Sequence, residues 1–478
     1  MLYKLRHLLA LTACLVLLGA CGGGADSSVT TLRCSNSADC STTGVTVGEP
    51  FVQKVNNLEV TVDRGPAGLF SLSTNILYAS VTVCAPGARP GDSAAGKCVL
   101  IDHLQVDTGS VGLRILASKV AALGLLPVEL AASANAAGVA GRAHECYPFV
   151  VGGLWGPTAV ADVGLGEQWA TALPVQLIQD DPGAAVQAPM DCFNAVNGQI
   201  LSSASSLGSN GILGIGSVTL DCGVLCLDSH YANSYVQYYS CPPGASSALA
   251  CYPAAVGANQ QVFNPVAKLG KDLSNNGLAD NNGVVLVLPA VPGTGAAKVI
   301  GELFFGINTR NNNQLPLNAR QIHLGVDWQN SLSPHGFDSY LSVTTQFNGQ
   351  TIYNSYLDTG TNGLFFTDSS ITPCNAAVTG QATWYCPANP LTKKALMSDG
   401  DRPGQNPVEI SFVVGDAGTI AAFDTAIAGL AGAPASSLGT TSSFSWGLPF
   451  FYGKRVSLSI WDPASKDAQY STGPWYSF

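Results

Sequence analysis

Charge is scarce in this chain. Asp, Glu, Lys and Arg together make up 11 % of its 478 residues, and acidic residues outnumber basic ones, 31 to 21. With a net charge of −10 the chain lacks the concentrated positive field that a polyphosphate partner requires, so no nucleic acid is expected. Beyond residue 20 there is no apolar run long enough to read as a membrane-spanning helix. Also missing are a Gly-x-Ser-x-Gly elbow, a His-Glu-x-x-His pair, a Walker loop and a Gly-x-Gly-x-x-Gly turn opening a helix. Serine-hydrolase, zinc-peptidase and nucleotide chemistry are thereby left without their motifs. His103, His144, His230, His323 and His335 stand singly, as structural histidines do, and neither a metal nor a cofactor is expected.

What the chain has in quantity is apolar residues, 46 %, punctuated by 53 Gly and 27 Pro. That is the composition of a large core interrupted by many turns. Alternating apolar positions at Val60 and Val62, at Leu77 to Val83 and before residues 107 and 358 predict strands, and Ala and Leu spacing over Ile115 to Leu130 predicts one short helix. The first residues read as a targeting segment, with Lys4 and Arg6 ahead of an apolar run from Leu8 and the lipobox Leu18-Gly19-Ala20-Cys21. The expected organisation is a lipoprotein signal peptide over 1–20, lipidation at Cys21, a flexible Gly- and Ser-rich tether over 21–50, and two lobes over 51–265 and 266–478. Gly22, an uncharged residue after Cys21, favours the outer membrane of a Gram-negative cell envelope as the place of the lipid anchor.

Cysteine usage fits export. Of 14 Cys, Cys14 lies in the signal peptide and Cys21 in the lipobox, which leaves an even number for disulfides in an oxidising compartment. Sequence-near pairs are Cys34 with Cys40, Cys84 with Cys98, Cys146 with Cys192 and Cys374 with Cys386. Cys222, Cys226, Cys241 and Cys251 allow three pairings, and a zinc site there has only one ligand-like spacing in its favour.

The most informative pattern is a repeat. Val106-Asp107-Thr108-Gly109-Ser110-Val111-Gly112-Leu113 returns as Leu357-Asp358-Thr359-Gly360-Thr361-Asn362-Gly363-Leu364. Two equivalent turns can bring two carboxylates face to face, and such a pair shares one proton, one Asp serving as base and the other as acid. These turns, with Gly211-Ile212-Leu213-Gly214 and the closing segment Phe444 to Tyr452, resemble the pepsin-like (A1-type) aspartic peptidases over about residues 75 to 462. That family is the worked case for proton sharing between two carboxyls. The resemblance implies an all-β, bilobal pepsin-like fold with two pseudo-symmetric β lobes and a central cleft. It makes Asp107 and Asp358 the catalytic pair, supported by Thr108, Gly109, Ser110, Thr359, Gly360 and Thr361. It places a flap on the hairpin bearing Tyr147, with Gly152 and Gly153 at a tip that needs unusual backbone angles, and it implies an extended peptide or unfolded protein as substrate. Arg114 departs from the pattern, standing where the family commonly has a tryptophan that holds the flap tyrosine. An arginine there would either reach the dyad or face solvent. The reading from a different class is an envelope binding or scaffold protein that keeps the fold without turnover.

Overall fold

The computed structural model describes residues 32–33, 45–69, 71–72, 74–91, 97–150, 152–181, 186–196, 198–227, 237–244, 250–272, 277–326, 341–375, 384–419, 425–434, 443–461 and 474–478. The lipobox with Cys21, the leader and most of the tether lie outside these residues, as does the pair Cys34 and Cys40. Within them the protein is all-β. The α-helices among the described residues are four to six residues long, and none is long and apolar enough to cross a membrane.

Alternation becomes a closed ring around the first repeat. Leu77–Cys84 pairs with Cys98–Asp107, which pairs in parallel with Gly211–Ile215. Gly211–Ile215 turns back antiparallel on Val111–Leu116, which runs parallel to Gln168–Ile178. Gln168–Ile178 pairs with Gly152–Leu165, and that strand closes on Leu77–Cys84 through Asp162 opposite Cys84. The inward residues are branched aliphatics, Val81, Val83, Leu104, Val106, Leu113, Ile115, Val163, Val175, Leu213 and Ile215, all essentially without solvent contact. β-branched and Leu side chains suit a pleated surface packed on itself, and each buries about 1.5–3 kcal/mol of apolar surface. The predicted helix is shorter than its spacing suggested. Ile115 and Leu116 stay in the strand, and only Ala117–Val120 and a following 3-10 turn are helical.

The second repeat sits in a seven-stranded sheet, in the order Val408–Val414, Leu391–Ser398, Val343–Phe347, Gln350–Leu357, Ser443–Trp446, Leu364–Phe365, Ala431–Gly432. Its core adds an aromatic cluster to aliphatics such as Val343, Leu357, Met397 and Val414. Phe347, Phe366, Phe412, Phe444 and Trp446 meet edge to face or stacked, at centroid separations from 4.3 to 6.0 Å. Between the two units, Asn57–Val62 pairs with Lys298–Phe305, which pairs with Gly283–Val287, which pairs with Arg455–Ser459, so strands from either side of residue 265 share one sheet.

Five disulfides join described residues. Cys84–Cys98, Cys146–Cys192 and Cys374–Cys386 are the sequence-near pairs, and the open cluster resolves into Cys222–Cys226 and Cys241–Cys251. Those four sulfurs are therefore disulfides and not zinc ligands.

One polar residue ties the early chain to the late chain. Asn75, 1 % exposed and at φ +54°, donates from Nδ2 to the carbonyls of Asn362 (2.8 Å) and Ile427 (2.9 Å). Its Oδ1 accepts from Ile427 N (2.8 Å) and Tyr452 Oη (2.9 Å). Asn tolerates left-handed backbone better than most residues, and here its amide satisfies four groups that water cannot reach. Replacing Asn75 with Ala leaves them unpaired, and we expect a loss of about 2–4 kcal/mol, read as a lower urea midpoint. A midpoint within experimental error of wild type would show that the clamp contributes nothing.

Candidate active site

Each Asp-Thr-Gly turn is held by the other. Asp107 ends the strand Cys98–Asp107, and Asp358 follows the strand Gln350–Leu357. Thr108 Oγ1 donates to Leu357 O (3.1 Å) and accepts from Thr359 N (3.0 Å). Thr359 Oγ1 does the reciprocal, donating to Val106 O (2.7 Å) and accepting from Thr108 N (3.1 Å). Both threonines are buried, so these four bonds are made in a medium where a broken one is expensive. Gln105, two residues before Asp107, adds a fifth crossing by donating from Nε2 to Gly360 O at 2.9 Å.

Behind each turn runs a bracing strand, as the apolar-apolar-Gly segments predict. Gly211–Ile215 lies between the strands on either side of Asp107, and Ser443–Trp446 lies between those flanking Asp358. Asp358 N donates to Trp446 O (3.0 Å), and Leu448 N donates to Thr361 O (2.7 Å).

The glycines of the turns are required by the opposing carboxylate. A Cβ at Gly109 would lie 2.7 Å from Asp358 Cγ, and one at Gly360 would lie 2.6 Å from Asp107 Oδ1. No side chain fits, so the two acids face each other across bare backbone. Within each turn the pattern repeats. Gly109 N and Ser110 Oγ donate to the two oxygens of Asp107 (2.8 and 2.5 Å), and Gly360 N and Thr361 Oγ1 donate to those of Asp358 (2.7 and 2.6 Å). Asp107 is buried, whereas Asp358 is partly open. Burial first, and then the charge and hydrogen bond of Asp358, push the Asp107 carboxyl well above the usual carboxylate range, against the pull of Ser110 and Gly109. The arrangement is a carboxyl that keeps its proton beside a partly exposed acid, which suits paired acid and base chemistry.

The hairpin beside this site is formed by Gly141–Phe149 and Gly152–Leu165, with Tyr147 opposite Leu154. Burial pushes the Tyr147 phenol above its usual range, and Asp107 is among the charges near enough to act on it. Gly152 and Gly153 do not make the tip. They begin the return strand, and their requirement is close packing: a Cβ at Gly153 would meet Val196 Cγ1 at 2.1 Å, and one at Gly152 would meet Gln199 O at 2.8 Å. The segment Gln199 to Leu201 is zipped to Gly153 by two backbone bonds of 2.9 and 2.8 Å.

Arg114 takes neither of its expected places. It is fully buried, and its carboxylate partners are Glu145 (2.7 Å) and Asp221 (3.3 Å), not the dyad. Its guanidinium lies 3.6 Å from the centroid of the Tyr147 ring. Asp221 was not singled out from the sequence, because a lone acid in a loop carries no local signal. His144 proves structural, stacked on Trp155 at 5.3 Å and pushed down to about 4 by burial.

The family model described as "Protein of unknown function (DUF3443)" matches residues 52–478, so the chain belongs to that family. No curated protein matches the chain. Among solved structures the chain is similar to an aspartic proteinase from Irpex lacteus, at 13 % identity and a TM-score of 0.42, over 88 % of this chain and 96 % of that one.

The raised Asp107 carboxyl has a consequence for stability. A carboxyl that keeps its proton on folding loses nothing below the ordinary carboxylate range, and it costs stability as pH climbs toward its raised value. Asp107→Asn removes that cost. We therefore expect the variant to melt above wild type at pH 7, with the gap closing toward pH 3. A gap that is constant with pH would mean that folding leaves the Asp107 carboxyl unshifted.

Proposed function

We propose that this member of the family is an aspartic endopeptidase, with Asp107 and Asp358 as its catalytic pair. The observation that carries this reading is the reciprocal hold of the two turns, which sets two carboxyls against each other over Gly109 and Gly360. The substrate is an extended peptide or unfolded segment lying under the Tyr147 hairpin, bound by strand-like backbone hydrogen bonds. Water between the acids attacks the scissile carbonyl carbon. Asp358, the more open acid, takes the proton of the water, and Asp107 gives its own to the carbonyl oxygen, so a neutral gem-diol forms. Asp358 then gives its proton to the leaving nitrogen while Asp107 takes one back from a gem-diol hydroxyl, which breaks the C–N bond, frees the acid and amine products and restores the pair with one proton. Water, acid and base suffice for this sequence, so no cofactor is needed.

A non-catalytic binding role for the same cleft would be favoured by an Arg114 paired with the dyad. Its pairing with Glu145 and Asp221 instead supports turnover. We also propose that Cys21 is lipidated and anchors the enzyme in the cell envelope, at the outer membrane; the lipobox supports this.

Purified protein incubated with an unfolded peptide library from about pH 3 to 7 is expected to cleave in a bell-shaped window. Activity falls on the alkaline side as the shared proton is lost, and on the acid side as the pair takes a second. Asp107→Asn and Asp358→Asn should each lower the rate about 10²–10⁴-fold, and a statine-type transition-state analogue should block wild type. Intact peptides at every pH from folded protein would sink the peptidase reading. For the anchor, Cys21→Ser should end incorporation of labelled palmitate and shift the protein from the membrane to the soluble fraction; continued membrane labelling would refute it.

A further inference from the structure

Arg114 sits at the centre of a wholly buried ionic cluster. Its Nη1 donates to Val111 O (2.6 Å), and its Nη2 reaches Glu145 Oε1 and Asp221 Oδ2. Asp221 is fixed in turn by Tyr238 Oη (2.9 Å), which itself accepts from Val262 N (2.7 Å). Burial opposes the charge of Arg114, but the acids Glu145 and Asp221 beside it outweigh that and hold the guanidinium cationic. Such a cluster is a poor way to fill a core. Buried ion pairs seldom beat apolar packing; here Arg114 Nε has no hydrogen-bond partner in the protein, and burial and the neighbouring Glu145 push the Asp221 carboxyl well above the usual carboxylate range. What apolar residues of the same volume could not supply is a cation lying against an aromatic face.

That face belongs to the hairpin of Gly141–Phe149 and Gly152–Leu165, whose Tyr147 lies within electrostatic reach of Asp107. Glu145 and Tyr147 are alternate residues of one strand and point to the same side, toward Arg114, while Cys146 between them points the other way to Cys192. At 3.6 Å from the ring centroid the guanidinium carbon lies against the face of the ring, which its flat group can cover more fully than an ammonium can.

We propose that Arg114 is a positioning residue: oriented by Glu145 and Asp221, it grips the face of the Tyr147 ring and fixes the hairpin beside Asp107, with no part taken by the phenol hydroxyl. The role in catalysis rests on the aspartic peptidase reading; the clamp itself does not.

The test is amide hydrogen exchange over 145–157 in purified protein, paired with kinetics. Arg114→Met alone would leave two buried acids unpaired, so it is combined with Glu145→Gln and Asp221→Asn. This triple variant and Tyr147→Leu should each speed exchange at least ten-fold, while Tyr147→Phe, which keeps the ring, should stay within threefold of wild type. Arg114→Lys should exchange faster than wild type despite keeping the charge. In cleavage assays the triple variant should lower kcat/KM about tenfold with the pH limits unmoved, since the dyad is untouched. If Tyr147→Phe exchanges as fast as Tyr147→Leu, the hydroxyl is what matters and the proposal falls; unchanged exchange in the triple variant also overturns it. Should the triple variant not fold, the Tyr147 pair decides alone. Should wild type cleave nothing, the peptidase reading fails while exchange still judges the clamp.

Discussion

The structure depends on four hydrogen bonds exchanged between Thr108 and Thr359. Each threonine hydroxyl reaches the backbone of the other turn on both its donor and acceptor sides, so neither turn has its native shape without its counterpart. A carboxylate pair demands this kind of control. Two acids drawn together repel unless they share a proton, and they share one only over a narrow range of separation. Fixing the backbone on both sides, and stripping Gly109 and Gly360 of side chains, removes the freedom by which the acids could part.

The two halves meet this demand with different materials. Around Asp107 the bracing strand packs Leu213 and Ile215 into an aliphatic barrel, while around Asp358 it packs Phe444 and Trp446 into an aromatic cluster, Trp446 Nε1 being satisfied by Thr345 Oγ1 at 3.0 Å. The backbone logic is conserved between halves while the side chains are not. The same asymmetry reaches the acids. Asp107 is enclosed and Asp358 partly open, so desolvation singles out Asp107 as the one that holds a proton. Identical tripeptides thus acquire different chemistry from their surroundings alone.

Much of this was legible in the sequence, because the determinants repeat locally. Asp-Thr-Gly appears twice, each copy has an apolar-apolar-Gly partner, and the three disulfides with near neighbours follow from spacing. What escaped is set by contacts distant in the chain. Gly153 is dictated by Val196, Asn75 by residues 362, 427 and 452, and Arg114 by Glu145 and Asp221, none of which any window around those residues contains. Arg114 is instructive because the sequence flagged it correctly as an anomaly and offered two wrong destinations. Both assumed that an arginine seeks either the dyad or water. A third acid and a fourth, brought in by the fold, made burial the outcome.

The hairpin beside the dyad is held more firmly than its Gly-Gly sequence suggests. Cys146 ties one face of its first strand to the helix Met190–Ala195, Arg114 holds the other face through Tyr147, and Gln199 to Leu201 zip to the return strand at Gly153. These attachments all lie on the barrel side of Phe149 and Gly152. Any movement over a bound peptide must therefore be confined to the short tip beyond them, or must carry the helix and the 199–201 segment along as one body. The second course keeps every attachment intact and places Phe193, 41 % exposed, and Met190, 68 % exposed, on the moving part together with Val150. A hairpin fixed at its base in this way has little conformational freedom left to lose, so under the proposed function the ordering cost that a loose flap would charge against peptide binding is already met in the folded chain.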